Sequence, residues 1–252
     1  MSDWNAEQYL KFNRQRTQPA IDLANRVRQS PFQTIGDIGC GPGNSTAVLR
    51  SVFPRAAICG IDSSPNMIEK AKSSHPGMEF RLCDVHALEP GYDLLFSNAC
   101  FQWIPDHAVL IPELMGKLNE GGVLAVQMPM NGEEPLFEII RAVAANPKWH
   151  FEKVWFETNE TLEPPQYFDI LSRCAGDFEM WETVYYHNMP SHASLVDWVR
   201  GSRLRPYLDA LDAEEAKAFE REITGRVAET YPVMENGEVI LRFRRFFFVA
   251  HK

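Results

Sequence analysis

Five short apolar runs constrain this chain more than any other feature. They lie at 34–38, 57–61, 79–82, 94–97 and 123–128, and several are apolar at successive rather than alternate positions. Strands of that kind are covered on both faces, as in a parallel sheet. Helical patterns at 45–52, 65–73 and 106–118 fall between them. Asp62-Ser63-Ser64-Pro65 opens one helix with an N-cap candidate and a proline in the first turn. Asn119-Glu120-Gly121-Gly122 closes another, as glycine after the last turn should. The alternation predicts βαβ units with right-handed crossovers.

Outside this α/β core, expected at 31–130, the pattern changes. Residues 1–30 read as an N-terminal helical lid, helix-like over 6–27, with Tyr9, Phe12, Arg16 and Leu23 as landmarks and Pro19 as a break or restart. Residues 131–177 read as an irregular and helical cap segment, with Pro135, Pro147, Pro164 and Pro165. Within 178–252, two β-rich stretches at 178–187 and 239–250 flank a helical section at about 191–230. Asn236-Gly237 is a tight-turn signal just before the second stretch. The two late strands are expected to pair antiparallel at one sheet edge, with the helical section inserted between them as part of the cap.

Composition narrows the partners. The 252 residues carry 25 Lys+Arg against 34 Asp+Glu, a formal net charge of −9, which is the wrong sign for non-specific binding to a phosphate backbone. No stretch approaches the length of about 18 apolar residues that a membrane span needs. The start, Met1-Ser2-Asp3-Trp4-Asn5, has neither the basic nor the apolar region of a secretory signal. The five cysteines (Cys40, Cys59, Cys83, Cys100, Cys174) are odd in number, far apart and never in a CxxC pair. They predict reduced, mostly buried thiols and no metal site. The expectation is a cytoplasmic protein with neither nucleic-acid nor membrane partners.

The most informative stretch is Asp37-Ile38-Gly39-Cys40-Gly41-Pro42-Gly43-Asn44. It joins the first strand to its helix, at the sheet edge where open α/β folds bind ligands. Glycines there let the backbone approach a ligand closely. The rival reading is a dinucleotide site, whose fingerprint is GxGxxG, but Asn44 stands where the third glycine belongs. Asp37 serves no anion cradle, whereas a bound ammonium group suits it. Asp62, at the second strand's tip, can accept two hydrogen bonds from vicinal ribose hydroxyls. Asp84, ending the third, is placed to meet an adenine amino group. Taken singly, each aspartate reads as a helix cap or solvated turn. At three successive strand tips beside the loop, they read as one ligand site.

On these residues, with Gly60-Ile61-Asp62-Ser63, Cys83-Asp84-Val85 and the stretch 93–103, the chain resembles the class I S-adenosylmethionine (SAM)-dependent methyltransferases. Within that class it is similar to the trans-aconitate methyltransferases over nearly its whole length. The further matches include Tyr9-Leu10, Asn98-Ala99, Gln102-Trp103, Pro105-Asp106-His107, Tyr185-Tyr186-His187, Asp197-Trp198-Val199 and Leu204-Arg205-Pro206. The resemblance implies a Rossmann-like α/β fold: a doubly wound seven-stranded sheet, mostly parallel with an antiparallel last strand, and a helical cap inserted late in the chain. It implies SAM as cofactor and S-adenosylhomocysteine as product. Tyr9 and Arg16 would cover the methionine end, and Asp37, Gly39, Gly41 and Gly43 would form the loop. Asp62, Ser63 and Met67 would follow the second strand, Asp84 and Val85 the third, and Asn98, Ala99 and Trp103 the fourth.

The implied reaction is methyl transfer to one carboxylate of a small organic acid, trans-aconitate giving its monomethyl ester, by a monomer or weak homodimer. A carboxylate with a pKa near 4 is already ionised at neutral pH, so no general base and no catalytic histidine is expected. The task is to hold the oxygen in line with the methyl–sulfur bond in a dry pocket, where orientation supplies on the order of 7–11 kcal/mol in favourable cases. A polyanionic acceptor in an acidic chain needs local cations, preferably arginine forks. The candidates are Arg200, Arg203 and Arg205 near the cap and Arg242, Arg244 and Arg245 on the last strand, where alternation puts Arg245 on the opposite face. The resemblance assigns Gln102, Trp103, Asn131, His187, Arg205 and Arg245 to the acceptor; His187 reads equally as a packed strand histidine. The chain departs from the family at Met130, where an acid is usual, and at Arg203, where glycine is. It is also acidic at Glu152, Glu157, Glu160 and Glu163, where the family tends to be basic. An acidic cap entrance would repel a tricarboxylate, so the alternative is a different, less charged small-molecule acceptor.

Overall fold

The computed structural model of the chain describes residues 13–153 and 161–252. Tyr9, Phe12 and the other landmarks of the first twelve positions lie outside the described residues, as do Glu157 and Glu160. The chain divides into two compact units. Among the described residues the first comprises 13–129, 161–183 and 245–252, and the second 130–153 and 184–244.

The sheet's strands are β1 (Thr34–Ile38), β2 (Ala57–Asp62), β3 (Glu79–Leu82), β4 (Tyr92–Asn98), β5 (Leu118–Pro129), β6 (Asp177–Met189) and β7 (Val239–His251). The helices are α1 (Asn13–Arg26), α2 (Asn44–Val52), α3 (Pro65–Ser74), α4 (His107–Lys117), α5 (Pro135–Ala144), α6 (Pro164–Cys174), α7 (His192–Arg200), α8 (Arg205–Asp209) and α9 (Ala213–Thr230).

In space the strands run β3-β2-β1-β4-β5-β7-β6. The pairs β1–β2, β1–β4, β2–β3 and β4–β5 are parallel, while β7 lies antiparallel to β5, with Val123 opposite His251 and Pro129 opposite Arg245. The order of a doubly wound sheet thus reverses between β1 and β4, which opens a crevice at their C-terminal ends. The apolar runs are buried as successive residues: Leu94, Leu95 and Phe96 in β4, and Val123, Leu124, Ala125 and Val126 in β5. Each such Val, Leu or Phe side chain contributes about 1.5–3 kcal/mol of burial.

Two local expectations are corrected. Pro19 sits inside α1 rather than breaking it. A proline removes one helical hydrogen bond, and the buried Ala20, Leu23 and Ala24 hold the helix through it. The glycine pair Gly121-Gly122 does not stop α4. That helix ends at Lys117, because Leu118 is already extended (ψ 148°), and both glycines lie within β5. A Cβ at Gly122 would stand 2.8 Å from the Asn119 carbonyl oxygen. At α3 the start signal is realised: Ser64 is the N-cap, its Oγ accepting the Met67 N–H at 3.3 Å. Of the cysteines, Cys40 is buried and the other four are half-buried.

The second unit has its own core. Phe137, Ile140 and Val143 of α5 are buried, as are Phe219, Ile223 and Val227 of α9. Trp149 and Phe151 meet Phe219 edge-on at 5.1 and 5.5 Å between ring centroids. The Leu136 N–H donates to the Tyr231 hydroxyl at 2.9 Å. Among the described residues, no helix is long and apolar enough to cross a membrane.

Candidate active site

The crevice at the sheet reversal is built by the glycine loop. Gly39 and Gly41 adopt φ of +68° and +53°, a region that favours glycine. A Cβ at Gly39 would stand 2.2 Å from the Cys100 sulfur, whereas one at Gly41 would meet no atom within 4 Å. Gly39 therefore lets the loop pack against the end of β4, and Gly41 presents bare backbone to open space. The Gly39 and Cys40 N–H groups donate to the Ile61 carbonyl at 2.8 and 3.0 Å, which fastens the loop to β2.

Asp62 does more than close its strand. Its two carboxylate oxygens accept from the Gly41 N–H and the Ser64 N–H, each at 2.9 Å. A carboxylate has about four lone-pair sites, so further donors such as ribose hydroxyls can still be accommodated. Asp84 stands two residues beyond the end of β3 rather than at it, and caps a short 3₁₀ turn by accepting the His86 N–H at 2.9 Å.

Asp37 is fully buried behind the loop. One of its oxygens accepts from the Ser45 and Thr46 hydroxyls at 2.7 and 2.6 Å. The other has no hydrogen-bond partner among the described residues. Burial pushes this carboxyl up to about 7, against the pull of the Thr46 and Ser45 hydroxyls, and the neighbouring Asp62 charge adds to the rise.

These elements surround a cavity of about 450 Å³, within the range of small-molecule and cofactor sites. Of the residues assigned to the cofactor from sequence, Arg16, Gly39, Gly41, Asp62, Ser63 and Met67 line it, as do Asp84, Val85, Asn98, Ala99 and Trp103. Asp37 and Gly43 do not: Asp37 lies behind the wall, and a Cβ on Gly43 would point at His75 and Phe80. Tyr9 lies outside the described residues. Sequence reasoning missed Thr17, Asn44, Cys83, His86, Cys100 and Pro105 among others. Most of these flank a residue that was found, so the strand-tip rule could have been applied one residue more broadly.

The turn after β4 carries the sharpest local geometry. Ala99 holds a left-handed φ of +55°, uncommon for a residue with a Cβ. It is fixed from both sides: its N–H donates to the Gln127 carbonyl at 2.8 Å, and its carbonyl accepts from the Gln102 side chain at 2.7 Å. Gln102, expected at the acceptor, is therefore buried as a brace for this turn and is not part of the cavity wall. Beneath the turn lies buried His107, whose Nε2 donates to the Phe101 carbonyl at 2.8 Å. Its Nδ1 is thereby left as acceptor for the Tyr167 hydroxyl at 2.6 Å. Both imidazole nitrogens are engaged in holding structure.

The other acceptor candidates fall in different places. Arg245 is buried in the first unit, opposite Pro129. Asn131, His187 and Arg205 belong to the second. There Asn131 and His187 are buried, and His187 packs among the rings of Tyr185, Trp198 and Phe243 at 6.2, 4.9 and 6.0 Å. Arg205 opens α8 and pairs with Asp209 at 3.5 Å.

The lining fits a nucleoside carrying a cationic amino-acid tail. Asp62 and Asp84 offer acceptors, the Gly41 backbone leaves room, and the Asn98 side-chain oxygen is buried on the wall with no hydrogen-bond partner among the described residues. A family model described as a methyltransferase domain matches residues 33–188, and the chain belongs to that family as a class I SAM-dependent methyltransferase. SAM is its cofactor. The chain is 43% identical over 258 residues to trans-aconitate 2-methyltransferase of Methylobacterium radiotolerans, covering 100% of this chain and 99% of the relative. It is 42% identical over 254 residues to the enzyme of that name from Escherichia coli, at the same coverage. Among solved structures, the YcgJ protein of Bacillus subtilis shares the fold, with a TM-score of 0.58 at 14% identity over 93% of this chain and 98% of that one.

Proposed function

We propose that this methyltransferase transfers the SAM methyl group to a carboxylate of trans-aconitate, giving a monomethyl ester. The observation that carries this reading is the 42–43% identity, over the full length of the chain, to relatives named for that reaction. When bound, SAM supplies an electrophilic methyl on a sulfonium. Asp62 and Asp84 would hold its nucleoside end, while Asn98 and the Gly39–Gly41 backbone would hold the amino-acid end. The acceptor carboxylate is ionised at neutral pH and needs no proton removed. The residues around the sulfur therefore work by orienting the acceptor and excluding water.

The test is incubation with methyl-labelled SAM and a panel of acids and phenols. A labelled monomethyl ester of trans-aconitate is the expected product. Methylation of a phenol with no polycarboxylate turned over would assign the enzyme to a less charged acceptor.

A further inference from the structure

In the second unit, most arginines already have partners. Arg200 bonds Glu220 through Nε at 2.7 Å, Arg226 pairs with Glu222 at 3.1 Å, and Arg205 with Asp209 at 3.5 Å. Arg242 pairs with Glu134, and Arg244 donates to the Met130 carbonyl at 2.7 Å. Arg203 differs. It is half-buried in the turn between α7 and α8, with its guanidinium carbon 5.6 Å from the centroid of the buried Phe137 ring. Arg141 lies four residues beyond Phe137 on α5, hence on the same helix face. The charges of Arg203 and Arg141 act on one another and on the Tyr207 phenol. Among the described residues, neither Arg203 nor Arg141 has a carboxylate partner.

Of the two, Arg141 is exposed, while Arg203 is half-buried over the Phe137 ring beside a like charge, an unfavourable place for a cation. Burial and the Arg141 charge both lower the Arg203 pKa, though a guanidinium stays protonated in proteins. Removing a charge from water without a counter-charge costs free energy, and an anion placed between the two forks offsets both that cost and the mutual repulsion. A carboxylate matches guanidinium geometry in bidentate fashion.

We propose that Arg203 and Arg141 form a carboxylate-binding site of the second unit. Its ligand is a carboxylate group, supplied either by the polycarboxylate acceptor or by a separate organic acid acting as effector. Only the first source rests on the trans-aconitate reading.

The experiment titrates tricarballylate, a saturated tricarboxylate, into the full chain loaded with S-adenosylhomocysteine, and measures trans-aconitate kinetics in parallel. Arg203→Gln is expected to weaken tricarballylate binding about tenfold, equivalent to about 1.4 kcal/mol. Arg203→Lys, which keeps the charge but loses the fork, should fall between that variant and the parent. Arg141→Gln tests the partner independently should Arg203→Gln fold poorly, and S-adenosylhomocysteine affinity should be unchanged in all three. A parallel rise in the KM for trans-aconitate with kcat retained identifies the acceptor as the source; an unchanged KM identifies a separate acid. Tricarballylate binding that is undetectable in the parent, or equal in parent and variants, overturns the proposal. A parent protein that does not methylate trans-aconitate, yet binds tricarballylate more tightly than its variants do, would overturn the functional reading and leave this site standing.

Discussion

Asp37 is the residue where sequence and environment pull hardest against each other. The sequence places a carboxylate ahead of the glycine loop; the fold buries it completely and gives one oxygen two hydroxyl donors. Its folded pKa of about 7 lies above the unfolded value of about 3.9. Between those values the folded state holds a proton that the unfolded state has lost. This group's contribution to stability is therefore fully present below about pH 4 and is lost as pH rises towards 7. A bound ammonium or sulfonium favours the ionised carboxylate and draws the pKa back down. SAM affinity should accordingly rise as pH increases through 5 to 7 and then level off, with a proton released on binding. Calorimetry at pH 6 in two buffers of different ionisation enthalpy measures that release, and Asp37→Asn should abolish most of it. Equal heats in the two buffers for the parent protein would remove Asp37 from any electrostatic role in cofactor binding.

Among the elements, the turn between β4 and α4 depends most on distant support. Its Phe101 carbonyl is held by His107, and His107 by Tyr167 of α6, sixty positions further along the chain. Burial pushes the Tyr167 pKa up, so the hydroxyl remains a proton donor throughout the neutral range. Tyr167→Phe would leave the Nδ1 of a buried histidine without its donor and should cost about 1–3 kcal/mol. Urea denaturation followed at constant slope measures this, and a loss under about 0.5 kcal/mol would show that the hydroxyl carries no weight. The same pair explains why the site was only partly legible. Asp62, the glycines, Asn98 and Ala99 sit at strand tips, and a strand period followed by a breaker is local information. Tyr167 comes from a stretch that reads as irregular cap, and no local pattern joins it to His107. Gln102 shows the same limit, since its position beside Trp103 suggests a ligand contact and gives no sign that its amide nitrogen braces the Ala99 carbonyl.

Across the whole molecule, the sheet could be read from sequence because doubly covered strands are apolar at consecutive positions. The bounds of the second unit could not, because they run through single strands: β6 leaves the first unit after residue 183, and β7 rejoins it at 245. Both pieces of the second unit are thus insertions whose two ends are covalently held by the first. When the first unit unfolds, those ends are released, and the loop-closure advantage the second unit had is lost. A ligand confined to the first unit should therefore stabilise the whole chain. Saturation with S-adenosylhomocysteine at about 100 times its Kd adds about 2.7 kcal/mol to the unfolding free energy. For a chain of this size that raises Tm by about 5–10 °C. The same increment should appear in the hydrogen exchange of the Leu94 and Phe96 amides in β4 and of the Ile223 amide in α9. If the ligand slows exchange in β4 but leaves α9 unchanged, the two units unfold independently, and tethering through β6 and β7 transmits no stability between them.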